Sequence, residues 1–321
     1  MFYSKNSKIF VAGHQGLVGS AIVRQLKKNG YENLIYKTHQ ELNLENYKET
    51  SDFILNEKPT VIFLAAAKVG GIFANNTYPV DFLVKNLSIQ LNVINAAFLA
   101  NTERLFFLGS SCIYPKSSPQ PIKEEFLLTS ELEPTNRPYA LAKITGIEQC
   151  WAYNRQYNTK YLAVMPTNLY GLNDNYDLES SHVLPALIRK IYEAKYNNLK
   201  EVEIWGTGLP KREFLNSDDL AEALIFLMNL DPINYDLLVN KERCPIINIG
   251  SEKEITISDL AHQIKEIIGY SGSLFFNSSK PDGTMRKLMS SKKIFNLGWK
   301  PKIPLQQGIK IVYEDFKKNL K

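Results

Sequence analysis

The sequence predicts an α/β fold, a doubly wound parallel sheet with a smaller C-terminal α/β substrate domain. Three observations carry that prediction. Short, nearly continuous apolar runs alternate with longer amphipathic stretches through the first half of the chain. A glycine triplet separates the first apolar run from the first amphipathic stretch. After Gly171 the rhythm breaks into loops, single helices and isolated strands.

Composition narrows the class. The chain has 321 residues, of which 44% are hydrophobic and 22% charged, so a disordered or low-complexity architecture is excluded. This length suits about two domains. The net charge is +5 with both signs interspersed, which favours an anionic small molecule and is too small to argue for nucleic acid. Cys112, Cys150 and Cys244 are widely spaced and form no metal-ligand pattern. Neither a secretory leader nor a run of about 18 apolar residues is visible. The expectation is a cytoplasmic protein without a metal, a nucleic-acid partner or a membrane partner.

The elements follow in order. Lys8 to Ala12, Asn33 to Tyr36, Val61 to Ala65, Arg104 to Leu108 and Tyr161 to Met165 read as strands covered on both faces. Between them Val18 to Lys28, Tyr47 to Asn56, Phe82 to Ala100 and Tyr139 to Tyr157 read as helices. Leu172 to Ser181 is polar and loop-like, and a helix is expected from Val183 to Ala194. A loop-rich region from Trp205 to Asn216 precedes a helix near Asp218, then a strand over Ile246 to Ile249, a helix over Ile257 to Ile268 and a lysine-rich end. The expected division is a first domain over 1–171, to which 217–248 returns, and a second built from 172–216 and 249–321.

Gly13, Gly16 and Gly19 form G-x-x-G-x-x-G directly after a strand and at the mouth of a helix. Glycine permits the tight turn and the close approach of a pyrophosphate, and the helix start offers free N–H groups. The pattern is that of a Rossmann-type dinucleotide site formed by Gly13, His14, Gln15, Gly16, Leu17, Val18 and Gly19. After the second strand no carboxylate appears until Glu41, while Lys37 and His39 face a 2′-phosphate better than a bare ribose. NADP(H) is therefore the expected cofactor, with a solvated basic turn as the plainer account of Lys37 and His39.

Tyr139 and Lys143 are spaced i, i+4 and share a helix face. A free phenol has a pKa of about 10, and a neighbouring ammonium is expected to lower it toward useful proton traffic. Tyr-x-x-x-Lys also arises by chance, so position matters. The pair follows a strand whose carboxyl end carries Gly109-Ser110-Ser111-Cys112, and ligands bind beyond such ends. Ser110, Tyr139 and Lys143 are the expected reductase triad.

With these motifs the chain resembles the GDP-L-fucose synthase family of extended short-chain dehydrogenase/reductases over almost its whole length. Beyond the glycine loop, the resemblance rests on Ala65 to Ile72, Asn75 to Pro79, Leu108 to Lys116 and Glu133 to Asn136. It continues through Met165 to Gly171, Ser181-His182-Val183, Arg212 to Leu215 and Lys280 to Thr284. It implies NADPH-dependent 3,5-epimerisation and C4 reduction of a GDP-4-keto-6-deoxy sugar by a homodimer. Cys112 and His182 match the family's acid/base pair, and both groups ordinarily titrate near neutrality. The resemblance places Leu108, Gly109, Ser110, Ser111, Lys143, Pro166, Thr167, Asn168 and Leu169 on the cofactor. It places His182, Lys190, Trp205, Arg212 and Asp282 on the nucleotide-sugar. A guanidinium such as Arg212 clamps phosphate through two parallel hydrogen bonds, although a surface pair with Glu213 or Asp218 is its plainer role. Cys150 and Cys244 read as structural.

Departures from the family pattern are Lys190 and His39 where arginine is usual, Asn216-Ser217, Leu172 and Ser290. Several surround the expected sugar pocket, so a C4-reductase acting alone on a related GDP-4-keto-6-deoxy-hexose or -heptose is the nearest alternative. An NAD-retaining 4-epimerase or dehydratase is a second; Ser110-Ser111-Cys112 lacks the Thr-then-acid pattern expected of a dehydratase. A non-enzymatic Rossmann sensor would have no use for Tyr139 with Lys143.

Overall fold

The first five apolar runs become strands because each is covered on both faces. The computed structural model describes residues 2–178, 180–280 and 282–319; Glu179 of the Leu172 to Ser181 stretch and Pro281 of the Lys280 to Thr284 run lie outside the described residues. The strands are β1 (Ile9–Ala12), β2 (Leu34–Ile35), β3 (Val61–Leu64), β4 (Arg104–Leu108), β5 (Tyr161–Pro166) and β6 (Asn168–Tyr170). They continue with β7 (Glu201–Trp205), β8 (Lys211–Asn216), β9 (Ile246–Ile249), β10 (Glu254–Thr256), β11 (Ser273–Asn277) and β12 (Arg286–Lys287). The helices are α1 (Leu17–Lys28), α2 (Tyr47–Glu57), α3 (Ile72–Thr77), α4 (Pro79–Leu99), α5 (Arg137–Tyr157) and α6 (Val183–Tyr196). After them come α7 (Ser217–Met228), α8 (Pro232–Leu238), α9 (Ile257–Ile268), α10 (Lys292–Asn296) and α11 (Leu305–Asn319).

The main sheet is six-stranded and parallel, in the order β2-β1-β3-β4-β5-β9. Alternate residues serve opposite faces. Ile9, Val11, Phe63, Phe106 and Val164 pack with Ile22 and Leu26 of α1 and Leu224 of α7. Phe10, Ile62, Leu105 and Phe107 pack with Ile54 of α2, Ile94 of α4 and Ile147 of α5. Two buried layers around one parallel sheet make the doubly wound fold that the sequence predicts.

Helix α4 starts at Pro79, three residues before the expected Phe82, because proline is tolerated at a first helical position. Among the described residues it is the one helix long and apolar enough to cross a membrane by length and composition. Its buried Asn86 and Gln90 have protein partners at Lys68 and Ala142, and it packs against α2 and α5.

The smaller second layer is a four-stranded sheet around β8, which pairs with β6, β10 and β12, beside a β7–β11 ribbon. Here the expected loop over Trp205 to Asn216 needs correction: its second half is β8. Lys211-Arg212-Glu213 conceals a strand, since Glu213 is fully buried despite its charge. The lysine-rich end is likewise helical, as α11, whose Ile309, Val312 and Phe316 join the core with α6 and α9.

Candidate active site

One open cleft of about 2260 Å³ runs across the carboxyl ends of β1, β3, β4 and β5 and along the second sheet. Every predicted site residue lines it except His14 and Gln15. His14 lies at the outer turn of the glycine loop, stacked on Tyr36 with ring centroids 4.7 Å apart.

The glycine loop is built by contact as well as by backbone angle. Gly13 has φ of 86°, and a Cβ on Gly19 would stand 2.0 Å from the Gly13 carbonyl oxygen. The turn therefore closes only with glycine at both positions. Gly16 caps α1 without a side-chain hydrogen bond, which leaves the first N–H groups directed into the cleft. This cradle fits a dinucleotide pyrophosphate. At the far edge Lys37 is exposed and 3.9 Å from Glu41, and His39 is also exposed.

Beyond β4, the Ser110 hydroxyl accepts from the Cys112 amide at 3.3 Å and is hydrogen-bonded to both the Tyr139 phenol and the Cys112 thiol. Lys143 is buried and donates to the Leu108 carbonyl oxygen at 2.7 Å; its Nζ is 5.7 Å from the Tyr139 ring centroid. The predicted acidification of Tyr139 needs correction. Burial raises the phenol, Cys112 adds to that, and only the Ser110 bond works against it. Burial also draws Lys143 down to about 8, and its hydrogen bond goes to the Leu108 carbonyl instead of to the phenol. A phenol held protonated is suited to giving a proton, not to taking one.

Cys112 and His182 enter from opposite sides, one in the turn after β4 and the other at the start of α6. Both are moved from their ordinary values. Burial raises the thiol, against Lys287, Ser110 and Lys143, and lowers the imidazole, with Lys287 adding to that effect. The His182 ring is exposed on the cleft wall, yet enough protein surrounds it to disfavour the imidazolium. Both groups rest uncharged.

The second wall is cationic and wetter. Trp205 is 56% exposed, which removes it from the core, and Lys190 and Lys280 stand over its ring at 5.3 and 5.5 Å. Arg212 donates to the carbonyl oxygens of Lys211 and Thr284, and no ion pair joins it to Glu213 or Asp218. Asp218 pairs with Arg24 instead, and the Glu213 carboxylate accepts from the amides of Glu252 and Met289. Asp282 accepts from the Thr207 amide at 2.9 Å and its hydroxyl at 2.7 Å. Thr167 and Asn168 are held by one carbonyl, that of Glu213, at 3.3 and 2.9 Å.

Lys287 lines the cleft without having been assigned to the site from the sequence. The signal for Lys287 was its register: it is one residue beyond Arg286 on a short strand that nothing in the apolar pattern announces.

Comparison with known proteins follows the same lines. The model of the NAD dependent epimerase/dehydratase family matches residues 9–239. GDP-L-fucose synthase 1 of Arabidopsis thaliana is 54% identical over 316 residues, 98% of this chain and 95% of that protein. A GDP-6-OMe-4-keto-L-xylo-heptose reductase from C. jejuni is 40% identical with a TM-score of 0.93, covering 99% of this chain and 100% of that one. A GDP-mannoheptose C4 reductase from Campylobacter jejuni, solved with NADP bound, is 42% identical with a TM-score of 0.88, covering 98% and 99%.

Proposed function

The chain belongs to the NAD dependent epimerase/dehydratase family, and we propose that it is an NADPH-dependent enzyme that epimerises a GDP-4-keto-6-deoxy sugar at C3 and C5 and reduces it at C4. The observation that carries the reading is the meeting of Ser110, Tyr139 and Lys143 with Cys112 and His182 in one cleft. The residues from Gly13 to Gly19 hold the cofactor pyrophosphate, and Lys37 and His39 face its 2′-phosphate. Lys143 and the stretch from Pro166 to Leu169 hold the nicotinamide end. When bound, the reduced nicotinamide supplies the hydride.

The ketone at C4 acidifies the neighbouring carbons, and Cys112 with His182 removes and returns their protons. Ser110 then hydrogen-bonds the C4 oxygen as negative charge grows on it. Tyr139 gives that oxygen its proton, a role matched to its protonated resting state. Lys190, Trp205, Arg212 and Asp282 hold the GDP portion. In this reading residues 1–171 with 217–248 carry the cofactor, and 172–216 with 249–321 carry the sugar nucleotide. A homodimer accounts for the exposed Val80, Val84 and Leu91 on α4 and Leu141 on α5, to be read from the mass in solution.

Incubation with GDP-4-keto-6-deoxymannose and NADPH in D2O tests the reading. The expected product is a C4 alcohol carrying deuterium at C3 and C5, seen by NMR. A C4 alcohol without deuterium favours the second reading, reduction alone, which the two solved heptose reductases support. No alcohol at all sinks both.

A further inference from the structure

Lys287 is a partly buried cleft cation without a role in that scheme. On β12 it lies opposite Arg212 of β8, while Arg286 lies opposite Lys211. Side chains alternate along a strand, and Lys211 and Arg286 both reach Glu254 on one face, at 3.6 and 2.7 Å. Lys287 and Arg212 share the other face and line the cleft.

Burial lowers the Lys287 ammonium; Cys112 and Glu133 oppose that, Arg212 adds to it, and His182 is the other titratable group in its field. Cys112 in turn is faced by Lys287, Lys143 and Tyr139. Of the two cations, Lys143 already donates to the Leu108 carbonyl beside the triad. Behind the thiol is a second cavity of about 40 Å³, bounded by Cys112, Lys287, Glu133 and Asn136 among others. That space admits a water, and the Asn136 Oδ1 on its wall is buried without a protein partner.

We propose that Lys287 is a positioning residue for the proton chemistry at C3 and C5, its ammonium stabilising Cys112 as thiolate while opposing protonation of His182. The inference rests on the epimerase reading above. A base takes a proton from carbon, and the C–H electron pair passes into the C4 carbonyl as an enolate. An acid then returns a proton to that carbon on the opposite face, so nothing is oxidised or reduced. Whichever role Cys112 takes, it spends one stage as a thiolate in a site that burial makes hostile to charge. The Lys287 ammonium favours this state more strongly than Lys143 does, and its field disfavours an imidazolium at His182.

The test measures deuterium exchange at C3 and C5 of GDP-4-keto-6-deoxymannose in D2O, with NADP+ replacing NADPH so that no hydride donor is present. Rates at saturating sugar are followed from pH 6 to 9 in the wild type, Lys287→Gln and Lys287→Arg. The expected result for Lys287→Gln is a loss of about tenfold at pH 7, with the profile moved at least one pH unit upward. Lys287→Arg is expected to keep the wild-type profile. An unmoved profile in Lys287→Gln overturns the proposal, including the case where only KM for the sugar rises. Lys287→Met serves the same comparison if the glutamine variant does not fold. Absence of exchange in the wild type overturns the epimerase reading first and the proposal with it, so the two failures are told apart before any variant is made.

Discussion

The two walls of the cleft differ in the partners they give their titratable groups. On the strand-end wall, burial drives Cys112, Tyr139 and Lys143 toward their uncharged forms, and the buried Lys143 has a carbonyl as its partner. On the facing wall burial also lowers Lys190 and Arg212, but Glu203 and Asp282 oppose it, and Lys190 and Lys280 stand over an exposed indole. The difference teaches how labour is divided. A dry wall of protonated donors moves protons without paying to reorganise solvent, whereas a more open cationic wall attracts a diphosphate and releases it again.

The sharpest way to break this comparison is Tyr139→Phe. If the strand-end wall alone performs reduction, NADPH oxidation on the keto-sugar falls by about 10²- to 10⁴-fold, the usual worth of a positioned acid. Exchange at C3 and C5 is expected to survive, since Cys112 and His182 remain. Survival of reduction would remove Tyr139 from the mechanism. On the other wall Arg212→Lys keeps the charge but loses the planar fork. Calorimetry with GDP is expected to show affinity weakened by about 10- to 100-fold, the value of charge-assisted hydrogen bonds lost. An unchanged affinity would mean that charge alone, not geometry, holds the nucleotide.

The two walls also differ in how far they were legible. Gly13 to Gly19, Ser110, Tyr139 and Lys143 come from contiguous motifs, each next to a strand whose apolar run is unmistakable, so local pattern located them. Lys287 and the strand beneath Arg212 come from β8 and β12, which are short and charged and meet across 75 residues, Lys211 against Arg286. Glu213 misleads most: a carboxylate reads as surface, yet here it is fully buried because the amides of Glu252 and Met289 satisfy it. Pairing across such distances leaves no periodicity to read. The charge states on the strand-end wall were illegible for a related reason. Proximity in sequence suggested that Lys143 would acidify Tyr139, but burial acts on both groups and outweighs their mutual effect.

That burial predicts a stability effect opposite in sign to the functional one. Lys143 titrates at about 8 in the folded chain against an ordinary 10.5. Below pH 8 both folded and unfolded chains hold the proton, and the folded chain bears the full cost of a buried ammonium. Between the two values only the unfolded chain holds it, so stability rises with pH, and above both the cost is gone. Lys143→Met removes the charge and keeps most of the stem. The gross gain at pH 7 is about 3 kcal/mol from the shift, less about 1 kcal/mol for the Leu108 carbonyl left without its donor. Urea unfolding at pH 7 is thus expected to find the inactive variant more stable than the wild type by about 2 kcal/mol. The advantage should shrink from pH 8 upward and reverse by pH 10.5, where the wild type no longer buries a charge and the lost Leu108 hydrogen bond, about 1 kcal/mol, is what separates the two. Parallel curves for the two proteins across that range would mean that Lys143 carries no such penalty, and that the strand-end wall is not the dry surface on which the division of labour depends.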